Sequence, residues 1–371
     1  MNITTLAVPG IRGLTPYQPG KPIGELEREF ALERIVKLAS NENPLGASPK
    51  ALEVVRRILG ASHLYPDGNG FELKAALAQK LGVEPAQIVL GNGSNDVLDL
   101  VARVFLAPGR NAVYSEHAFA VYPIATQTAG ATGKPAPAHD GSRGPRFGHD
   151  LQAMLERVDP DTRVVFIANP NNPTGTLLGR CELHSFLAAL PEHVIAVVDE
   201  AYFEYANSPD HPNALDWLEE FPGLIVTRTF SKAYGLAGLR VGYAVSGREV
   251  ADLLNRARQP FNVNALGLAA ATAALEDTGF LEATVQANDA GLRRLEAGFR
   301  KRCLDFIPSA GNFLSFDLGR PAAPVFDALL REGVIVRPVG NYGLPNHLRV
   351  TVGTTEEIDI FFAALDRVLG S

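Results

Sequence analysis

Between about residues 50 and 260 the chain alternates two periods. Short, nearly continuous apolar runs ("QIVL", "NAVYS", "RVVFIAN", "VIAVVDEAYF", "LIVTRTF", "VGYAV") are separated by segments whose apolar residues recur every three or four positions ("ALEVVRRILG", "NDVLDLVARVFL", "DLQAMLERV", "REVADLLNRARQ"). Runs without polar alternation suit strands covered on both faces, and the helix-period segments supply the cover. The region therefore predicts an α/β domain around a mainly parallel, mixed sheet flanked by helices. Turn-rich stretches such as "YPDGNG" and "NPNNPTG" punctuate it. Ligands of such sheets bind at the carboxyl ends of strands, so residues that follow an apolar run carry the interest.

Beyond about residue 265 the texture changes to one long helical run, "ALEDTGFLEATVQANDAGLRRLEAGFRKRCL", followed by "GNFLSFDLG", a helix, "GVIVRP", "LRVTVG" and a last helix. This predicts a smaller α+β lobe. The first 45 residues, with Pro-rich "TPYQPGKP" and turn-like "NENPLG", read as an arm that docks on something larger and as part of the smaller lobe. The expected division is residues 1–45 for arm and part of the small domain, 46–265 for the large domain and 266–371 for the small one. A chain of 371 residues exceeds the usual reach of one hydrophobic core, which fits two lobes.

Composition changes this picture little. At 46% hydrophobic and 20% charged residues the chain falls among globular proteins, outside the disordered and fibrous classes. A net charge of -7 argues against broad electrostatic binding to nucleic acid or an anionic membrane, while leaving a local basic pocket open. Cys181 and Cys303 lie far apart without CxxC spacing, so neither a disulfide framework nor a zinc site is expected. The beginning of the chain lacks a basic segment followed by an apolar one, and no run approaches the ~18 apolar residues of a membrane span. These features predict a cytoplasmic protein. The histidines show no HExxH or other ligand spacing, and no metal is expected.

Four motifs carry chemistry. In "VVDEAYF", Asp199 ends an apolar run with Tyr202 three residues on; such an Asp caps a turn, or stays ionised beside a ligand cation. "NPNNPTG" is a tight turn whose Asn side chains, Asn172 among them, can also donate to a ligand oxygen. "LGNGSNDVLDLV" joins a strand end, a glycine turn at Gly93 and a helix capped by Ser94. Asp96 stands where a dinucleotide fingerprint needs its third glycine, which weakens a nicotinamide-dependent reading, but free N–H groups at a helix start still suit one phosphate. In "TFSKAYGLAGLRVGY", Lys232 follows the strand-like "LIVTRTF". A lone lysine is ordinarily a solvated charge. In a drier pocket near another cation it becomes an amine nucleophile, and Arg240 can hold a phosphate with its planar fork. Together these groups are what pyridoxal 5'-phosphate needs.

These motifs, in this order, resemble the aspartate-aminotransferase superfamily of fold-type-I pyridoxal-phosphate enzymes, over nearly the whole chain. Within it the chain looks most like the histidinol-phosphate aminotransferase branch, through "PYQPGKP", "KLASNENPLGASP", "YPDGNG" and "GVIVRPVGNYGLPNHLRVTVGT". The resemblance implies that Lys232 forms the imine with the cofactor and moves the proton between Cα and C4'. Asp199 would pair with the pyridinium nitrogen, and Asn172 and Tyr202 would hydrogen-bond O3'. Gly93, Ser94, Asn95, Thr229, Ser231 and Arg240 would cradle the phosphate. Phe119 in "HAFAVY" would stack on the ring, although His117 and Ala118 depart from the commoner pattern there. Tyr65 would reach the phosphate of a neighbouring subunit, implying a homodimer with shared sites. Arg337 and Arg349 would bind the anionic end of the substrate, with Tyr17 closing over it.

The implied reaction exchanges the amino group of histidinol phosphate with 2-oxoglutarate, so the expected partners are a small amino donor and a 2-oxo-acid acceptor. An aromatic amino-acid aminotransferase and a decarboxylase of phosphorylated amino acids are close in motif. A transcription regulator with an aminotransferase-like domain would need a DNA-binding helix-turn-helix domain, and only about 45 Pro-rich residues precede the large domain.

Overall fold

The computed structural model describes residues 2–30, 32 and 34–370. Its centre is a seven-stranded sheet with the spatial order Ile88–Gly91, Gly242–Ser246, Leu224–Thr229, Ile195–Asp199, Thr162–Ala168, Asn111–Ser115, Thr132–Ala136. Gly242–Ser246 runs antiparallel to both neighbours and the remaining pairings are parallel, as the apolar runs predict. Alternate residues of these runs enter opposite cores. Val113, Val165, Ile167, Val198 and Val226 face one helical layer, while Ala112, Val164, Phe166, Val197 and Ile225 face the other. Burial on both faces leaves no position where a polar residue could alternate.

The smaller lobe holds a four-stranded antiparallel sheet ordered Arg337–Pro338, His347–Thr351, Phe313–Asp317, Phe306–Ile307. The beginning of the chain joins it: Val36–Lys37 pairs in parallel with Val334–Ile335. Its core is mainly aliphatic around a group of phenylalanines, in which Phe299 stacks on Phe316 at 4.4 Å.

Three local expectations differ from the structure. The run read as one long helix from Ala274 is interrupted: Ala274 and Leu275 end one helix, Ala265–Leu275, and a second, Thr278–Lys301, carries the rest. The break falls at Asp277, which leaves helical geometry and accepts a hydrogen bond from the Ser48 hydroxyl at 2.5 Å. The first of the two helices packs Ala270, Ala271 and Ala274 into the core beside the large sheet. Ser94 is the first residue of the helix Ser94–Phe105 rather than its cap; Gly93 caps it, because the turn needs a φ of 82°. The strand Thr132–Ala136 escapes sequence reading because "TGKPA" carries Gly133 and Pro135; proline is tolerated there because the strand is at the sheet edge.

One ion pair ties this frame to the ligand side of the sheet. Glu200, next to Asp199, and Arg228, between Thr227 and Thr229, are both buried and joined by bonds of 2.9 and 2.7 Å to one carboxylate oxygen. Arg228 also donates to Asn213 at 2.7 Å, and Glu200 accepts the Ala214 N–H at 3.0 Å. Removing one member strands the other's charge, which costs about 3–5 kcal/mol. Arg228→Met is therefore expected to lower the stability of the cofactor-free protein by that order, read from its urea midpoint, whereas a loss below ~1 kcal/mol would show that water compensates Glu200.

Candidate active site

The site lies at the carboxyl ends of the central strands. Asp199 is the last residue of Ile195–Asp199, and Thr229, the last of Leu224–Thr229, leads directly into Ser231 and Lys232. Across the cleft, Arg337 and Arg349 come from the small-lobe sheet. One cavity gathers Ser94, Asn95, Thr229, Ser231 and Arg240 at one end, Asp199, Asn172, Tyr202, Phe119 and Lys232 in the middle, and Tyr17, Arg337 and Arg349 at the other.

The first end is a cradle for an anion. Positive φ at Gly93 turns the chain so tightly that a Cβ there would lie 2.2 Å from Arg240 Nη2. The guanidinium therefore lies against the turn that starts the Ser94–Phe105 helix, where N–H groups lack intrahelical acceptors. Arg240 Nη1 donates to Ser231 Oγ at 3.0 Å and to the Ala237 carbonyl at 3.1 Å. Asp96, the residue that spoils the dinucleotide pattern, accepts the Asn92 N–H at 2.9 Å and so closes the turn itself.

In the middle, Lys232 Nζ donates to the Ser40 carbonyl at 3.0 Å. Burial pushes its ammonium down to about 7, and Arg349 and Arg240 add repulsion in the same direction. Burial raises the Asp199 carboxyl, against two hydroxyl donors, Tyr122 at 2.8 Å and Thr227 at 3.0 Å. The Tyr202 phenol is pushed up to about 12 by burial and accepts a hydrogen bond from Asn41 Nδ2 at 2.8 Å, so it stays protonated and can donate to a ligand oxygen. Half-buried Phe119 lines the wall and meets Tyr122 edge-on at 5.9 Å.

At the far end Arg337 and Arg349 face each other as register partners of two antiparallel strands, only 6% and 5% exposed. Like charges placed opposite one another repel. Arg349 donates to Asn172 Oδ1 and to the Ala39 carbonyl, and Arg337 to the Gln18 carbonyl of the arm. Tyr17 lies beneath the Arg337 guanidinium, 5.6 Å from its ring centroid. The arm is also held by Gln127, which donates to the Gly10 carbonyl at 2.8 Å.

Among the described residues, Lys232, Arg240, Arg337 and Arg349 have no carboxylate partner, and Asp199 is the one acidic residue lining the cavity. Buried cations without anions are costly unless a ligand supplies the charge. The residues thus fit a group that carries a phosphate at the Arg240 end, a cation beside Asp199 and an aldehyde within reach of Lys232. Tyr65 stands apart: it is 82% exposed, stacks on Phe261 at 4.8 Å and does not line this cavity.

Sequence reading missed Asn41, Tyr122 and Thr227. Tyr122 follows Phe119 by three residues in "HAFAVY", and Thr227 is the register partner of Asp199. The first spacing was available as a signal; the second required the sheet. Among the described residues no group of three potential ligands is placed to hold a metal, and no helix is long and apolar enough to cross a membrane.

The depressed Lys232 ammonium gives a signed expectation. The unfolded lysine keeps its proton to about pH 10.5 and the folded one to about 7, so between these values the unfolded state binds more protons and stability rises with pH. The cofactor-free protein should gain at most about 1.4 kcal/mol per pH unit from this group in that window. Lys232→Met should flatten the rise; identical urea midpoints against pH for both proteins would show that Lys232 titrates normally.

Comparison with known proteins shows the family and the fold. Residues 33–365 match the model of the family described as aminotransferase class I and II. The chain is 89% identical over 369 residues to histidinol-phosphate aminotransferase 2 of Methylococcus capsulatus, covering 100% of both chains. It is 60% identical over 366 residues to histidinol-phosphate aminotransferase 2 of Pseudomonas aeruginosa, covering 98% of each. Among solved structures, histidinol-phosphate aminotransferase from Sinorhizobium meliloti in complex with pyridoxal-5'-phosphate superposes with a TM-score of 0.89 at 31% identity, over 98% of this chain and 97% of that one. Aspartate aminotransferase of Thermus thermophilus with maleate, at 20% identity, shares the fold with a TM-score of 0.83 over 98% and 99% of the chains. With the match to the family model running through nearly every residue from the arm to the last helix, the chain belongs to the class I and II aminotransferases.

Proposed function

We propose that this aminotransferase uses pyridoxal 5'-phosphate to exchange the amino group of histidinol phosphate with 2-oxoglutarate, yielding imidazole acetol phosphate and glutamate. One observation carries the reading: among the described residues, four cations without carboxylate partners surround a single carboxylate in one cleft, two of them as facing arginines at the substrate end. The names of the relatives at 89% and 60% identity support the choice of substrate.

The cofactor, when bound, supplies an aldehyde that condenses with amines and a ring that accepts the electron pair left when Cα–H breaks. The protein's own groups divide the remaining work. Lys232, whose ammonium is lowered to about 7 by burial, would be the nucleophile toward that aldehyde and the base that carries a proton between Cα and C4'. Asp199 would hold the ring nitrogen, Asn172 and Tyr202 would hold O3', and Phe119 would cover the ring. Gly93, Ser94, Asn95, Thr229, Ser231 and Arg240 would hold the cofactor phosphate. Arg337 and Arg349 take the dianionic phosphate or the carboxylates of the acceptor, and Tyr17 shields them from water.

The proposal includes a homodimer in a cytoplasmic setting. Tyr65 and Phe261 stack as an exposed aromatic pair, and Leu64 is exposed beside Tyr65 in the chain, which supports packing against a second copy whose cofactor phosphate Tyr65 would reach. The free thiols of Cys181 and Cys303 accord with a reducing compartment.

Reconstituted protein should show visible imine absorbance that borohydride abolishes and Lys232→Ala lacks, and should transfer from histidinol phosphate far faster than from phenylalanine. Protein that stays colourless with pyridoxal phosphate overturns the cofactor, preference for phenylalanine overturns the substrate, and release of carbon dioxide overturns the reaction. Arg337→Met should raise KM for histidinol phosphate about ten- to hundredfold, the worth of a charge-assisted hydrogen-bonded contact, without changing the absorbance of the bound cofactor. An unchanged KM would remove Arg337 from the substrate site.

A further inference from the structure

The carboxylate at the centre of the cleft is gripped from behind. Tyr122 belongs to the helix Val121–Thr128, is fully buried, and donates to Asp199 Oδ2 at 2.8 Å. Thr227, on the neighbouring strand and in register with Asp199, donates to Oδ1 at 3.0 Å. Each oxygen thus receives its own hydroxyl, from two different elements, which fixes the plane of the carboxylate. The Tyr122 ring is itself immobilised, stacked on Phe166 at 4.8 Å with the planes 4° apart. Phe119, three residues earlier, lines the cavity, so one helical entry supplies both a wall residue and a support beneath it.

The chemistry of the grip matters as much as its geometry. Asp199 is 5% exposed, and a buried carboxylate needs donors to remain charged. An arginine or lysine would supply them and also cancel the charge, as Arg228 does for the adjacent Glu200. Hydroxyls donate without adding charge. The phenol of Tyr122 is raised well above its ordinary value by burial and by Asp199 itself, so it does not ionise and repel the carboxylate. The negative charge of Asp199 is left whole for a cation in the cavity.

We propose that Tyr122, acting with Thr227, is a positioning residue that presents Asp199 as a charge partner for the protonated ring nitrogen of the cofactor, and so sets both cofactor affinity and the protonation of that nitrogen. This rests on the pyridoxal-phosphate reading above. Tyr122→Phe keeps the ring on Phe166 and removes only the hydroxyl. With one donor gone, Asp199 holds a proton more readily and competes with the ring for it.

The test is titration of cofactor-free protein with pyridoxal phosphate, together with the nitrogen NMR signal of the cofactor labelled with nitrogen-15 in its ring. Tyr122→Phe should raise the Kd about ten- to hundredfold and move the ring-nitrogen signal toward the unprotonated position. Thr227→Val removes the donor at the other oxygen and should change both readouts in the same direction; it decides the matter if Tyr122→Phe does not fold. An unchanged Kd overturns the proposal. So does a raised Kd with the nitrogen still protonated, since packing alone would produce that. If the wild-type protein fails to bind pyridoxal phosphate, the cofactor reading fails instead, which is a separate outcome.

Discussion

The structure is organised around unbalanced positive charge in a confined cleft. Lys232, Arg240, Arg337 and Arg349 converge on a cavity whose acidic lining, among the described residues, is Asp199. Such an arrangement is unfavourable for the protein alone, because desolvated cations repel and lack the water that would otherwise screen them. It becomes favourable when anions fill both ends, so the repulsion among the cations favours phosphorylated or carboxylated ligands. The low ammonium of Lys232 follows from the same crowding: burial and Arg349 together make the free amine accessible near neutrality, which a nucleophile and proton carrier requires.

Holding these charges together needs a frame that does not relax. The parallel strands bring Asp199 and Thr229 out at one edge, their side chains aimed by register and by cores that cover both faces of the sheet. The buried Glu200–Arg228 pair sits one residue from Asp199 and one from Thr229, where it locks the two strand ends to each other. The second sheet supplies the facing arginines, and the beginning of the chain closes the ring of contacts. Val36–Lys37 joins the small lobe, Asn41 holds Tyr202, the Ser40 carbonyl holds Lys232, and Gln18 holds Arg337. Every one of these ties links segments far apart in sequence, so the cleft is a property of the whole fold rather than of any motif.

Much of the fold was legible beforehand, for identifiable reasons. "RVVFIAN" and "VIAVVDEAYF" are strands because both faces are covered, and that condition writes itself into the residues as unbroken hydrophobicity. "TGKPA" is a strand without that signature because an edge position does not require it. The break at Asp277 was hidden because helix-period residues continue on both sides of it, and the partner that Asp277 takes there, Ser48, is more than two hundred positions away. The Gly93 turn was visible as a glycine-rich motif, but its cap was assigned to Ser94 because hydroxyl capping is the commoner solution, whereas here backbone geometry decides.

Local pattern in the sequence picked out candidates for chemistry: a lysine and a carboxylate at the ends of apolar runs, a glycine turn and three arginines. That much is local, since strand and helix periods place motifs at element ends without reference to the rest of the chain. The pairings came from the fold. That Arg337 and Arg349 face each other, that Tyr122 and Thr227 share the two oxygens of Asp199, and that Tyr65 stands outside the cavity depend on strand register and on how helices cross the sheet. Those relations are set by packing over distant segments, and no local pattern of residues encodes them.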